Sequence, residues 1–228
     1  MGTRASNGYY PVALRLPGRR CVIAGGGKVA QRKLAGLLEA GADDVVLISP
    51  DATESIRELA ARGSVRWLQR SFAVEDLTGA WLVVAATSDR TLNAAIAEAA
   101  ERLGMLANVA DDYERGSFIT PAVIRRGRLL VSVTASGASP AFAKALKQDL
   151  EEKLAQGYEA ALERLEELRG LAQAELLDRD VREQVLRLAA QQAVCSQEGH
   201  DSMPSVEKWL EYLVERVKGG LHNEQYNE

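Results

Sequence analysis

Two places in this chain of 228 residues carry residue types and spacings suited to chemistry. The first is Gly25-x-Gly27-x-x-Ala30, set between an apolar run at 21–25 and a helical pattern beginning at Lys28. Each small residue has a task beside a dinucleotide pyrophosphate. Gly25 permits the tight turn, and Gly27 lets the backbone come close to the phosphates. Ala30 lets helix and strand pack tightly, so that the helix N-terminus and its free N–H groups face the anion. Gly26, Lys28 and Val29 complete the loop, and two readings stay open for Lys28, the first helical residue: contact with the phosphates or a solvated surface lysine. The glycine spacing alone is a weak signal. Its place at the first junction of a βαβ pattern makes it specific. The second place is Asp111, beside Asp112, at the end of the apolar run 105–110. A dehydrogenation sends a hydride to a nicotinamide and a proton to a base, and a carboxylate at a strand's carboxyl end is well placed to take that proton. Asp112 reads as a turn or cap residue.

Further candidates follow from where ligands bind in open α/β sheets, outside the carboxyl ends of the strands. The second strand ends on Ile48-Ser49-Pro50-Asp51. Asp51 falls close to the ~20-residue offset at which an acid meets the adenosine ribose 2′-OH, which favours NAD over NADP. Two readings stay open for Asp51, ribose contact and capping of the next helix. Ala85-Ala86-Thr87-Ser88-Asp89 ends another strand, with Thr87 a candidate cofactor contact and Ser88 or Asp89 a helix cap. Asn108 ends the strand before Asp111 and joins the cofactor candidates.

The elements that would position these residues alternate in type. Short β-rich runs at 21–25, 45–49, 65–69, 81–87 and 105–110 are separated by helical patterns that stop at Gly41, near Ala61 and at Gly104. Unbroken apolar runs such as WLVVAAT suit strands buried on both faces of a parallel sheet. The fold class expected is α/β, a Rossmann-like doubly wound parallel sheet. After Asp111 the pattern changes to a loop, an irregular or short β segment in FITPAVIRRG, and a strand at 128–136. Ser139-Pro140 is a helix start, with Ser as N-cap and Pro at the first helical position. Heptad-like helical patterns then occupy 141–154, 158–171, 178–195 and 205–217, interrupted at Gly157, Gly170 and 196–204, with a frayed tail at 221–228. The division expected is a dinucleotide-binding domain at 1–112, a dimerisation and substrate-cleft region at 113–155, and a helical region at 156–228.

Composition narrows the partners. Hydrophobic residues make up 46% and charged residues 26%, the range of a globular protein with a full core. A net charge of −4 gives no general attraction to nucleic acid or membrane. Cys21 and Cys195 are too few and too ill-spaced for a disulfide framework or a zinc site, and Cys21 reads as a small core residue. His200 and His222 show no metal-ligand spacing, so no metal site is expected. The N-terminal residues lack a signal-peptide pattern, and no window reaches the length of a membrane span. A cytoplasmic protein is expected. Residues 1–140 carry 17 Lys/Arg against 14 Asp/Glu, and residues 141–228 carry 11 against 18. An anionic ligand therefore finds its positive field in the first part.

Taken in order, the motifs GGGKVAxRK, AATSD, Asn108-Val109-Ala110-Asp111, Gly116-Ser117-Phe118-Ile119-x-Pro121 and Ser136-Gly137-x-Ser139-Pro140 resemble those of the precorrin-2 dehydrogenase / sirohydrochlorin ferrochelatase family, found also as the N-terminal part of siroheme synthases. The resemblance covers roughly residues 8–155. It implies a homodimer that uses NAD⁺ to oxidise precorrin-2 to sirohydrochlorin, in some members also inserting Fe²⁺ to give siroheme. It places the family's key aspartate on Asp111 and its nucleotide contacts on Gly26–Val29, Pro50 and Asp51. Precorrin-2 carries eight carboxylates and calls for a basic cleft. Residues 113–147 supply Arg115, Arg125, Arg126, Arg128, Lys144 and Lys147 against the single acid Glu114. Arg115, Ser117, Arg125, Ser136 and Lys144 are the candidate substrate contacts. Ala135 stands where some bifunctional relatives carry serine, and residues 156–228 match none of these motifs, departures that bear on metal insertion more than on oxidation. The glycine loop alone also fits a different nicotinamide oxidoreductase or an NAD(H)-binding redox-sensing module. A sensor needs neither Asp111 nor a basic cleft.

Overall fold

The computed structural model describes residues 8–112, 114–154, 157–195 and 205–224, the side chains of 220–224 excepted. It divides into two compact units, residues 1–120 and 121–228.

In the first unit five short strands form one parallel sheet: β1 (Arg20–Ala24), β2 (Asp44–Ile48), β3 (Arg66–Leu68), β4 (Leu82–Ala85) and β5 (Leu106–Val109), in the order β3-β2-β1-β4-β5. Chain order runs outward from β1 to one edge, then returns to its other side at β4. The carboxyl ends of β1 and β4 thus flank the switch point where such sheets bind ligands. The register pairs Ala24 with Ile48 on one side and with Ala85 on the other.

The period of two along each strand explains the layers. Cys21, Ile23, Val45, Leu47, Leu82 and Val84 point to one face and pack with Ala30 and Leu34 of α1 (Lys28–Glu39) and Ile56 of α2 (Glu54–Ala61). Val22, Ala24, Val46, Ile48, Val83 and Ala85 point to the other and pack with Ile96 and Ala100 of α3 (Arg90–Arg102). Ile56 and Ile96 are almost fully buried, and each such side chain contributes about 1.5–3 kcal/mol. Apolar residues on both faces are why these strands read as unbroken runs. Burial pushes the Cys21 thiol up to about 11, with the acids Asp44 and Asp43 adding to the effect, as suits an inert core residue. Gly41 lies in the left-handed region at φ 81 and ends the first helix, as its position suggests.

The segment after Asp112 packs with the sheet unit. The Ser117 N–H donates to the Ala107 carbonyl (2.8 Å), the Ala107 N–H donates to Ser117 Oγ (2.8 Å), and Asn108 Nδ2 donates to the Phe118 carbonyl (3.0 Å). The compact unit accordingly runs on to Thr120, eight residues past the boundary expected at 112.

In the second unit, β6 (Ala122–Arg126) and β7 (Leu129–Val133) form an antiparallel hairpin about Gly127, so FITPAVIRRG contributes a regular strand. Ser139 caps α4 (Pro140–Lys153), its Oγ accepting from the Phe142 N–H at 3.2 Å. Three helices, α5 (Tyr158–Glu175), α6 (Arg179–Cys195) and α7 (Val206–Glu224), share a core of Leu168, Ala172, Val185, Ala189, Trp209 and Leu213. Two expectations need correction. Gly170 does not interrupt the helical pattern but sits inside α5, because nothing crowds its missing side chain and the flanking Leu168 and Ala172 are anchored in the core. A mid-helix glycine costs only about 1 kcal/mol. The last helix also continues to Glu224, where fraying was expected from residue 221. Residues 225–228 and His200 lie outside the described residues.

Candidate active site

The glycine loop is built by two backbone contacts. Gly25 has φ 117, and a Cβ there would lie 2.3 Å from the Ala86 carbonyl oxygen. Its N–H donates to the Ile48 carbonyl (2.9 Å), while the Ala86 N–H donates to the Ala24 carbonyl (2.8 Å), so three strand ends are tied at this point. A Cβ on Gly26 would lie 2.0 Å from the Asp51 carbonyl oxygen and 2.9 Å from Ser49 Oγ. The Thr53 N–H also donates to the Gly26 carbonyl (2.9 Å). Gly26 is thus glycine because the β2–α2 loop lies against it, a reason the spacing rule does not supply.

Gly27 differs from both. It is the N-cap of α1, no side chain caps that helix, and a Cβ there would meet nothing within 4 Å. Uncapped N–H groups opening onto free space fit the pyrophosphate of a dinucleotide. Lys28 opens the helix as expected, and Val29 beside it is an exposed apolar residue.

At the end of β2, Ser49 is buried and its carbonyl accepts from Trp67 Nε1 (3.0 Å); Pro50 is exposed. Asp51 does not cap α2, whose N-cap is Thr53. Its Oδ1 accepts from the Ala52 N–H (2.8 Å) and from Arg57 Nη2 (2.6 Å). The Arg57 hydrogen bond, with that of Ala52 second, holds this fully exposed carboxyl below its ordinary range. The carboxylate stays charged and open to solvent.

The β4 and β5 ends carry the other half of the site. Asp89 caps α3, accepting from the Thr91 and Leu92 N–H groups. One turn on, Asn93 is 1% exposed, and all four of its hydrogen-bonding valences are filled. Its Oδ1 accepts from the Thr87 N–H (3.1 Å) and the Thr87 hydroxyl (2.8 Å). Its Nδ2 donates to the Thr87 carbonyl (3.1 Å) and to Asp111 Oδ1 (3.0 Å). The other Asp111 oxygen lies 3.4 Å from Arg90 Nε, and the Asp111 side chain remains 32% exposed. Asp111 is therefore a carboxylate with one oxygen anchored and an open face at the sheet's carboxyl edge. Asp112 behaves as the turn residue expected, accepting from the Glu114 N–H (3.1 Å) and Arg115 Nε (3.0 Å).

Asn93 was not among the residues singled out from sequence. Its signal was present, a lone amide on the face of a helix otherwise buried through Ile96, Ala97 and Ala100, and a buried polar residue always needs its partners found. Asn108, expected as a cofactor contact, is buried at 4% exposure with its amide committed to Phe118, and its Oδ1 has no partner among the described residues. This geometry gives it a bracing role. Ser117, expected at the substrate, braces the same strand through its hydroxyl.

The remaining candidates belong to the second unit. Arg125 lies on β6, Lys144 on α4, and Ser136 in the turn before α4 at φ 50, the only described non-glycine residue with positive φ. Of the basic residues in 113–147, Arg115 pairs with Asp112, Arg126 and Lys147 with Glu151, and Arg128 with Glu166. Arg125 and Lys144 have no acidic partner among the described residues, which leaves their charge for an external anion.

A family model described as NAD(P)-binding matches residues 12–122, the sheet unit with its glycine loop and Asp111. A solved structure, SirC, a precorrin-2 dehydrogenase, superposes with a TM-score of 0.71 at 27% identity, covering 90% of this chain and 98% of that one. Siroheme synthase 3 of Aeromonas hydrophila is 43% identical over 148 residues, 65% of this chain and 31% of that protein. The chain is thus similar in fold to a precorrin-2 dehydrogenase and in sequence to part of a siroheme synthase. The siroheme synthase of Methylococcus capsulatus adds 46% identity over 143 residues, 63% of this chain and 30% of that protein. The chain thus spans about a third of the length of these curated relatives. Within this fold the glycine loop and Asp111 lie on one edge of one sheet, in the region the NAD(P)-binding model covers. No described helix is long and apolar enough to cross a membrane.

Proposed function

We propose that this protein oxidises precorrin-2 to sirohydrochlorin with NAD⁺ as hydride acceptor, in siroheme biosynthesis. The observation that carries the reading is Asp111: a partly exposed carboxylate, anchored by a buried amide, at the carboxyl edge of a dinucleotide-binding sheet. The backbone of Gly25–Gly27 and the N-terminus of α1 would hold the pyrophosphate, Asp51 the adenosine ribose, and the Thr87 loop the approach to the nicotinamide. When bound, NAD⁺ supplies the hydride acceptor. Asp111 takes the proton that leaves with the hydride, and Asn93 keeps one carboxylate oxygen fixed while the other, beside the exposed Arg90, acts as the proton acceptor. Arg125 and Lys144 supply charge for the substrate carboxylates, with Arg115 and Ser136 as further candidate contacts. Asp51 favours NAD⁺ over NADP⁺, since a 2′-phosphate would meet a like charge there.

The family resemblance adds homodimerisation and, as a second activity, insertion of Fe²⁺ into sirohydrochlorin. Among the described residues no group of three acid, His or Cys side chains could hold a metal, so Fe²⁺ enters this reading as a substrate. The test is one assay. Purified protein is incubated with precorrin-2 and NAD⁺, then with NADP⁺ in its place, while sirohydrochlorin absorbance is followed; Fe²⁺ is then added. Sirohydrochlorin formed faster with NAD⁺ supports the reading, and none formed with either nucleotide refutes it. Loss of sirohydrochlorin absorbance on adding Fe²⁺, beyond a protein-free control, assigns the chelatase step. Sedimentation at micromolar concentration tests the dimer, and a monomeric mass would contradict it.

A further inference from the structure

We infer that Asn93 is the positioning residue for Asp111, and that it ties the Thr87 end of β4 and the carboxylate after β5 into one unit. This rests on the reading of Asp111 as the base.

The argument begins with valence. An asparagine amide has two donor hydrogens and an acceptor oxygen with two lone pairs. Asn93 spends all of them on two partners. Its oxygen takes both the N–H and the hydroxyl of Thr87, and its nitrogen gives one hydrogen to the Thr87 carbonyl and one to Asp111 Oδ1. With Asp89 capping the helix at Thr91 and Leu92, the first turn of α3 fixes where Asn93 stands. Buried at 1% exposure, the amide has no water to substitute for a lost partner, so its geometry is dictated. The other contact on Asp111, from Arg90, is longer and its cation is 88% exposed, so screening leaves it weak. The fixed orientation of the carboxylate comes from Asn93. No other residue type of similar size fills this place: leucine offers no polar atom, and aspartate presents an oxygen where Asp111 and the Thr87 carbonyl each need a donor.

The test compares the full-length protein with Asn93→Asp, Asn93→Ser, Asp111→Asn and the double variant Asn93→Asp/Asp111→Asn, using precorrin-2 and NAD⁺. Asn93→Asp sets a second carboxylate against Asp111, and kcat is expected to fall by ~10²-fold, the scale of a misplaced catalytic group. The KM for NAD⁺, set by the glycine loop, stays within about threefold, a pattern that marks an interaction used in the transition state. In the double variant the residue 111 amide can donate to the residue 93 carboxylate. Thermal stability then recovers towards wild type while turnover stays at the level of Asp111→Asn. A merely structural Asn93 would cost stability in Asn93→Asp and Asn93→Ser without the fall in kcat. A folded Asn93→Asp protein with near-normal kcat overturns the inference, as does a loss that lies wholly in KM. Should Asn93→Asp fail to fold, Asn93→Ser, which adds no charge and is too short to reach Asp111, is judged by the same split. Near-normal turnover in Asp111→Asn fails the reading of the base itself, a result distinct from failure at Asn93.

Discussion

The two halves of the sheet edge solve different problems with different parts of the chain. On the β1–β2 side, the loop Gly25–Gly27 is shaped by backbone meeting backbone, and the acid beside it, Asp51, is fully exposed and held by Arg57 and the Ala52 N–H. On the β4–β5 side, the backbone is ordinary and a buried side chain, Asn93, orders everything around it. Binding a pyrophosphate needs many N–H groups and room, which main chain provides. Orienting a base needs one atom held in one direction, which a saturated amide provides. The difference separates substitutions that break the fold, those that break binding, and those that break turnover.

The largest effect should come from Gly25→Ala. The new Cβ meets the Ala86 carbonyl at 2.3 Å with φ at 117, and strain with overpacking should cost about 3 kcal/mol or more. The melting temperature should fall by about 10 °C, and calorimetry checks it. An unchanged melting temperature would mean that the loop is not clamped between strand ends.

Gly27→Val comes next and should act on binding alone. Its side chain enters space that is open in the protein but needed by the pyrophosphate, so NAD⁺ affinity should fall by ~100-fold or more, about 2.7 kcal/mol, with the melting temperature unchanged. Isothermal titration decides; intact affinity in a folded variant would remove the phosphate cradle from this loop.

These two predictions show what was legible. The strand–glycine–helix order, the doubly wound class, the Asp89 and Ser139 caps and the position of Asp111 at a strand end all follow from local pattern, because each is decided by neighbours in sequence. Gly26 and Asn93 were not legible in the same way. Gly26 is explained by Asp51, twenty-five positions away, and Asn93 by Asp111, eighteen positions away. Contacts between loops of adjacent strands leave no periodic trace. Gly170 misled for the converse reason: a glycine reads as a break, yet its neighbours in the helical core hold α5 continuous.

Asp51→Asn should be milder. An exposed carboxylate contributes little beyond its hydrogen bond, so NAD⁺ affinity should fall about tenfold or less and the preference over NADP⁺ should narrow. Equal titrations with both nucleotides before and after substitution would confine Asp51 to holding Arg57.

The smallest effect is one of stability. Lys33 on α1 donates to the Thr120 hydroxyl, and burial, with Arg32 second, pushes its amine down to about 8 from an ordinary value of 10.5. Between those values the unfolded chain holds the proton and the folded one does not, so stability rises with pH across that window and the penalty stands in full below pH 8. Lys33→Met should remove that rise and stabilise the protein near neutral pH by on the order of 1 kcal/mol. Denaturant midpoints at about pH 7 and pH 10 check this; a variant that keeps the pH dependence would assign it to another group.

The central claim is that Asp111 is the base of a dehydrogenase, and turnover of Asp111→Asn with precorrin-2 and NAD⁺ tests it most directly. Asparagine keeps the shape and removes the proton acceptor. The rate of sirohydrochlorin formation should fall by ~10²–10⁴-fold, with NAD⁺ affinity nearly unchanged and Asp112→Asn mild beside it. A folded Asp111→Asn protein that forms sirohydrochlorin at close to the wild-type rate would contradict it.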